Sequence, residues 1–450
     1  MADETTHVFG DDIRWVTLVD EYDRCRKQES TKDFLARKFD QYIIKLENAL
    51  EGSFNFLGCE FEEKLEKEII TIKKLCKDIL TILEINDTGK RKETLDKAYQ
   101  VFDSIEKYLI TYKYNSMDRF FRIRKKELEQ QREYSKEEMF HIKMTDRHLI
   151  GAFRYSLPGT PCLYLASSLE LAWLECGMPN LFSYCIMRMN KEFKLVDFST
   201  PESAFLANIE QLFNEGKREK DNVREYYIKH LVTFPLKIAC SIEVKNRNGK
   251  FVEEYIIPQL LMQWMQEKGN YDGIAYESAS YNIFKSGRSF QYNIVLFDNE
   301  FNEQGYGKNL IKKINISDIS DIDIRKQLND NLEEVNNLFY EINEIKTKLM
   351  RVTVSYDENY NEMNKYILNL MDICDWLYMM YNKVIPNYKE ENEHIFKGFE
   401  IIQQYVKLMI NSNHLEDKKI PEYEELKILI ENFEQKLEKL AMSASVWLLK

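Results

Sequence analysis

The stretch FRYSLPGTPCLYLASSLELAWLE, Phe153 to Glu175, decides how the chain is read. It holds an Arg-Tyr pair (Arg154, Tyr155), a Pro-Gly turn (Pro158, Gly159), a short apolar run through Tyr164, and a helical start that ends in the acid Glu175. Pro followed by Gly marks a tight turn, because Pro presets one dihedral and Gly accepts a positive φ in the next position. Polar side chains gathered at the ends of regular elements, on loops positioned by a rigid scaffold, are where binding and catalytic groups concentrate. Most of the chain outside this stretch is charged, lysine-rich and helical in pattern.

The whole chain has 450 residues, 44% hydrophobic and 31% charged, with 15 Gly and 8 Pro. That length exceeds one ordinary hydrophobic core, so about two to three domains are expected. The composition is globular, and the scarcity of Gly and Pro argues against long linkers. A net charge of −12 disfavours nucleic acid as the main partner, since phosphate backbones require a basic surface. The N-terminal MADETTHVFGDD lacks the basic start and apolar core of a leader, and no apolar run approaches a membrane span. The expected location is the cytoplasm. Eight scattered cysteines without a CxxC pair, and six dispersed histidines, give a metal site no support and suggest reduced, buried thiols.

Outward from the central stretch, the chain divides into three. Residues 1–116 read as a helical module: helices fit 17–28 and 31–49. From Phe61 the apolar residues Leu65, Ile69, Ile72, Cys76, Ile79 and Leu83 trace one helix face. Asn-Asp-Thr-Gly at 86–89 ends that helix, and another is expected from about Glu93 to Tyr112. From about 117 to 310 the pattern is mixed. Strand-like runs CLYLA, FSYCIMRM, FKLVDF, PLKIACSIEV, GIAYES and YNIVLF alternate with helical stretches near 168–177, 202–215 and 258–267. Ser199 or Thr200, with Pro201 and Glu202, reads as the start of the 202–215 helix. Residues 311–450 return to helix, with amphipathic patterns from Leu328 to Leu349 and over 358–382, 390–412 and 421–441. The expected fold class is α+β: a mixed central domain flanked by all-α modules at both ends.

Within the central region, polar residues stand at element boundaries in RFFRIRKK (119–126), in the 153–175 stretch, and in YDGIAYES (271–278), whereas YNIVLF (292–297) reads as a purely structural strand. The order Arg122, Arg154-Tyr155, PGTPCLYLASS, Glu175, DGIAYES resembles the RES domain, over about 117–300. YIIPQLLMQWM at 255–265 resembles one subgroup of that family. The resemblance implies an ADP-ribosyltransferase-like fold and an enzyme that consumes NAD+ as its substrate. By position, the family's arginine is Arg122, its glutamate Glu175 and its serine Ser278, all three catalytic, with Arg122, Arg154, Tyr155, Tyr164 and Ser278 as the NAD-binding set. Arg119 and Arg124 share the basic run with Arg122, and a charged insertion (KKELEQQREYSKEEMF) lies between Arg122 and Arg154.

The residue types suit that chemistry. A planar guanidinium binds phosphate oxygens in a bidentate way, so two arginines could hold a diphosphate. A tyrosine such as Tyr164 could stack on nicotinamide or adenine. Breaking the nicotinamide–ribose bond creates oxocarbenium character that a carboxylate, here Glu175, stabilises. Ser278 would orient ribose or the nicotinamide amide; no histidine motif makes it a nucleophile. Taken singly, such an Arg-Tyr pair is commonly a surface ion pair beside a core edge, such a Glu a solvated helix residue, such a Ser a turn. Their joint order carries the reading. Arg224 and His230 share the R-x5-H spacing of HEPN ribonucleases, but Glu225 stands where a polar amide is usual, and coincidence explains them better.

Three functions follow as expectations: cleavage of the nicotinamide–ribose bond of NAD+ by a toxin or anti-phage effector, as a glycohydrolase with water as acceptor or a phosphorylase with phosphate; transfer of ADP-ribose to a protein or nucleic acid; or NAD+ binding without turnover. The first two imply a neutralising antitoxin or an activating trigger protein as partner, with self-association left open.

Overall fold

The computed structural model describes residues 29–51, 57–115, 118–126, 133–177, 181–200, 220–245, 251–278 and 292–323, with isolated positions 24, 26, 179, 205, 208, 209, 212 and 249. In chain order, the elements are α1 (Thr31–Glu51), α2 (Cys59–Asp87), α3 (Arg91–Ile105), β1 (Thr111–Tyr114), β2 (Arg119–Lys125), β3 (Cys162–Ala166), α4 (Leu169–Glu175), β4 (Leu181–Met189), β5 (Phe193–Phe198), α5 (Lys220–Cys240), α6 (Ile256–Lys268), β6 (Gly273–Tyr276), β7 (Asn293–Phe297), α7 (Lys308–Lys313), β8 (Ile314–Ile316) and β9 (Ser320–Asp323). Mixed α and β content around one central sheet, with helices in the N-terminal part, agrees with the expected class. The C-terminal helices expected after Leu328, and the Ser199–Glu202 helix start beyond residue 200, lie outside the described residues.

Among the described residues the sheet has nine strands in the order β1-β5-β6-β7-β3-β2-β4-β8, with β9 also on β4. Every pairing is antiparallel except β5–β6. Period-two alternation sorts the central strands between two cores. Val196, Phe198, Ile274, Val295 and Phe297 face the larger core, built with α1, α2, α3, α5 and α6. Leu163, Leu165, Leu195, Ala275, Ile294 and Leu296 face the smaller one, closed by Phe140, Tyr306 and Leu310. Only glycine fits at position 273, the Gly of the DGI motif: a Cβ there would lie 2.1 Å from the Val295 carbonyl oxygen on the neighbouring strand.

One pairing is barely made. β2 pairs along its length with β4, from Arg119↔Arg188 to Lys125↔Phe182. Against β3 it has one register pair, Phe121↔Ala166. The two strands therefore diverge in the middle of the sheet, and side chains from both line the resulting cleft.

The N-terminal helices pack into the same core as α5 and α6. Their apolar faces are those expected: Phe61, Leu65, Ile72, Cys76, Ile79 and Leu83 of α2 are buried, with Ile69 partly so. Phe61 stacks on Tyr227 of α5 at 5.3 Å between ring centres. Trp264 of α6 meets Phe102 of α3 edge-on at 5.8 Å and donates its indole N–H to Asp103 at 2.9 Å.

Several expectations need correction. The helix expected to Tyr112 ends at Ile105. A single turn then leads into β1, whose register with β5 puts residues 111–114 in the sheet and the 116/117 boundary between two of its strands. Positions 24 and 26, the described part of the expected helix 17–28, are not helical. RFFRIRKK forms the strand β2, and the strands β8 and β9 fall where only helix was expected after 311. PLKIACSIEV is not a strand. Its first half, from Pro235, completes α5 and the rest is irregular.

Pro235 inside a helix misleads sequence reading because it removes the N–H that would bond the carbonyl four residues earlier. Here that carbonyl, Leu231, accepts the hydroxyl of the fully buried Tyr42 on α1 at 2.7 Å. A helix from the N-terminal part thus satisfies a backbone group that a proline in the central part leaves open. Replacing Tyr42 with Phe keeps the ring and orphans the carbonyl. The expected loss is about 1–3 kcal/mol, read as a lower urea midpoint with unchanged slope.

Candidate active site

The cleft between the diverging strands encloses about 550 Å3, within the range of small-molecule sites. β2 supplies Phe121, Arg122, Ile123, Arg124 and Lys125, β3 supplies Cys162, Tyr164, Leu165 and Ala166, and Glu175 and Cys176 come from the end of α4 and just beyond. Phe153, Arg154 and Ser156 come from the turn before β3, and Val244, Tyr255, Tyr276 and Asn293 are also on the wall.

Arg122 spans the gap in the sheet. Its Nη1 donates to the Tyr164 carbonyl oxygen at 2.7 Å, taking on β3 the place that a β2 backbone N–H would fill in a continuous ladder. Nη2 reaches the Phe140 carbonyl at 3.4 Å, and the buried Nε has no partner among the described residues. Burial first, and the charge of Arg124 second, push the Arg122 pKa down to about 10, so it remains a cation at neutral pH. Arg124, two residues along on the same face of β2, donates to the carbonyls of Glu138 (2.9 Å) and Phe140 (3.1 Å). Arg154 donates to the carbonyls of Cys240 (2.9 Å) and Ile242 (2.8 Å) and lies 5.4 Å over the Tyr255 ring. None of these three arginines has a carboxylate partner among the described residues. Neutral carbonyls hold each one in place and, among the described residues, leave its charge uncompensated.

The turn carrying Arg154 is tightly braced. Phe153 and Ser156 exchange backbone hydrogen bonds at 3.0 and 3.2 Å. Gln259 of α6 donates to both of their carbonyls (2.9 and 3.1 Å). The Tyr164 hydroxyl takes the Tyr155 N–H at 3.3 Å and meets Ser156 Oγ at 3.0 Å. The following Pro158-Gly159 turn closes through Thr160 N–H to Leu157, with Gly159 at φ 78°.

Glu175 ends α4 and is exposed. Its Oε1 accepts from Asn293 Nδ2 at 2.9 Å. Asn293, 4% exposed, begins β7 opposite Ala166 on one side and Tyr276 on the other. YNIVLF is therefore more than a structural strand: its Asn anchors the one acid that the described residues place on the cleft wall. No sequence motif pointed to Asn293; an amide opening an otherwise apolar strand was the available clue. Tyr255 and Tyr276 were legible only as members of quoted motifs.

The structure thus brings Arg122, Arg154, Tyr164 and Glu175 together. It places Tyr155 elsewhere: fully buried, its ring 4.7 Å from that of Tyr276 and its phenol pushed well above the usual range by burial, it supports the cleft from the core. Ser278 also lies off the cleft lining, two residues beyond Tyr276, with its Oγ buried and unpartnered among the described residues. Arg224 and His230 form no site. Arg224 holds Leu57 and Glu60 near the start of α2, and His230 stacks on Phe205 at 3.7 Å. No group of ligands for a metal ion occurs among the described residues.

With this geometry in view, the chain can be set against known proteins. The family model of the RES domain matches residues 120–308, from β2 to the start of α7. The central region is a RES domain. The chain is also similar to the Bacillus subtilis (strain 168) protein named "Putative toxin YopC", 34% identical over 198 residues. That alignment covers 42% of this chain and 43% of the relative, so the chain spans less than half of the relative's length. No solved structure gives a significant match. No helix among the described residues is long and apolar enough to cross a membrane.

The RES domain also contains a pH-sensitive support. Phe140, whose carbonyl receives both Arg122 and Arg124, is followed by the buried His141. His141 Nε2 accepts the Gly307 N–H at 2.9 Å, so Nδ1 carries the proton and donates to the Ile142 carbonyl at 2.7 Å. The neutral ring is required. Burial chiefly, with a smaller contribution from Arg122, lowers its pKa below the ordinary 6.5, against Ile142 and Asp298, which favour the charged form. The unfolded chain therefore binds this proton more readily, and stability falls as pH drops below about 6.5, the loss ending once the folded group also titrates. Urea midpoints at pH 7.5 and 5.5 are expected to differ, and His141→Asn to flatten the difference.

Proposed function

We propose that the RES domain consumes NAD+, cleaving the bond between nicotinamide and ribose, and that the chain acts as a toxin or defence effector. One observation carries this: three arginines held by neutral carbonyls, uncompensated by any described acid, share a cleft with a single anchored carboxylate. An unneutralised cationic cleft is suited to an anionic ligand, and fixed guanidinium groups suit a diphosphate. Each guanidinium has five N–H donors, so the bonds that position Arg122 and Arg154 leave others for substrate oxygens.

In this reading Arg122 and Arg154 grip the diphosphate from opposite walls. Glu175 supports the positive charge that develops at the anomeric carbon as nicotinamide departs. Asn293 holds that carboxylate in one orientation, which matters because a small displacement of a charged group costs much of its effect. Ser278 stays in the proposal as the group that hydrogen-bonds ribose or the nicotinamide amide, on the strength of its buried hydroxyl, unpartnered among the described residues and close to Tyr276. The toxin character is carried over from the name of the relative, and it implies a neutralising or triggering partner, because uncontrolled NAD+ loss would harm the producing cell.

The purified chain incubated with NAD+ is expected to release nicotinamide, measured by chromatography. No release by the intact chain, alone or with its cognate partner, overturns the reading. Glu175→Gln should lower the rate by about 100-fold or more. Asn293→Ala should lower kcat on the order of 10-fold with KM little changed. With labelled NAD+, free ADP-ribose as the product identifies water as acceptor, and a labelled macromolecule identifies transfer.

A further inference from the structure

The cleft is lined by five aromatic rings among the described residues: Phe121, Phe153, Tyr164, Tyr255 and Tyr276. Four of them are committed. Phe121 is buried in the sheet, Tyr255 lies under the Arg154 guanidinium, Tyr276 packs on Tyr155, and Tyr164 spends its hydroxyl on the 153–156 turn. Phe153 alone is exposed, at 48%. Leaving that much of a phenyl ring in water forgoes burial energy.

Its backbone is nonetheless held by three hydrogen bonds. The N–H and C=O of Phe153 are tied to Ser156, its C=O also accepts from Gln259 of α6, and the next side chain, Arg154, is held by two carbonyls at the C-terminal end of α5 and just beyond it. The Tyr164 ring lies behind it at 5.7 Å between centres, inclined by 51°. A rigid, half-exposed, apolar plane next to an arginine is a preorganised surface for a flat ring whose neighbouring group is anionic.

We propose that Phe153 is the stacking platform for a heteroaromatic base of the substrate dinucleotide, with Tyr164 as its support and not itself the stacking ring. This rests on the reading of the cleft as an NAD+ site and adds to it the residue that binds a base. Stacking of this kind contributes about 1–3 kcal/mol per base, equivalent to a loss of roughly 5- to 150-fold in affinity on truncation. The effect belongs to binding, so it appears in KM more than in kcat.

The test uses the full chain. Calorimetric titration with NAD+, ADP-ribose and nicotinamide mononucleotide is run on the Glu175→Gln chain and on the same chain with Phe153→Ala, Phe153→Leu or Phe153→Trp. Because Phe153 is half-exposed, these variants are expected to keep the parental circular dichroism. Ala and Leu should weaken NAD+ binding at least 5-fold, whereas Trp should retain it and show quenched indole fluorescence on NAD+ addition. A loss shared with ADP-ribose assigns the platform to adenine; a loss shared with nicotinamide mononucleotide assigns it to nicotinamide. If the parent binds NAD+ and the Ala and Leu variants bind within 2-fold of it, the platform is refuted while the NAD+ site stands. If the parent binds none of the three ligands, the underlying reading falls and the platform with it.

Discussion

A sheet that parts in its middle leaves backbone groups without partners, and this chain closes the gap with a side chain. The guanidinium of Arg122 on β2 reaches the Tyr164 carbonyl on β3 where a ladder bond would otherwise run. Unpaired buried carbonyls cost as much as a lost hydrogen bond, so the opening can persist only with such a substitute. The same substitution brings a cation into the middle of the fold and fixes it there. Opening the cleft and charging it are one structural event, and the positions of Arg124, Glu175 and Arg154 around it follow from the strands and turn that frame the gap.

Support for the cleft comes from parts of the chain far from it in sequence. Gln259 braces the turn that carries Arg154, and α6, which carries Gln259, is held in turn by Asp103 and Phe102 of α3. Tyr42 repairs the helix that Pro235 interrupts, just before the carbonyls of Cys240 and Ile242 that hold Arg154. Arg24 pairs with Glu277, next to Ser278, and Arg26 with the buried Glu254, next to Tyr255. The N-terminal helices are therefore continuous with the RES domain in packing. Their apolar faces are the back of the site's scaffold.

The legible part of the fold was local. The short apolar and aromatic runs CLYLA, FSYCIMRM and FKLVDF read as strands because both faces of the sheet are covered by apolar cores, and the 3–4 spacing from Phe61 to Leu83 gave a helix because one face is buried. PLKIACSIEV misled because β-branched and aliphatic residues after a proline look extended, while a tyrosine from another helix made the proline tolerable. RFFRIRKK hid a strand because Arg122 and Arg124 face a cleft and not a core. Tyr155 passed for a pocket residue because neighbours on a tight turn point in opposite directions, and chain order does not say which one enters the cleft.

By itself the sequence determined the components: the Pro-Gly turn, the strand after it, the acid at the end of α4, and a motif order that marks a RES domain. These depend on local dihedral preferences and on residues close together in the chain. Only the tertiary structure decided which polar groups meet. Glu175 and Asn293 are separated by 118 residues yet share a hydrogen bond, and Arg122 finds its carbonyl 42 residues away. The physical reason is that strand order in this sheet is not chain order. β3 lies between β2 and β7, and that arrangement is set by the burial of both faces at once, which no single stretch of sequence contains.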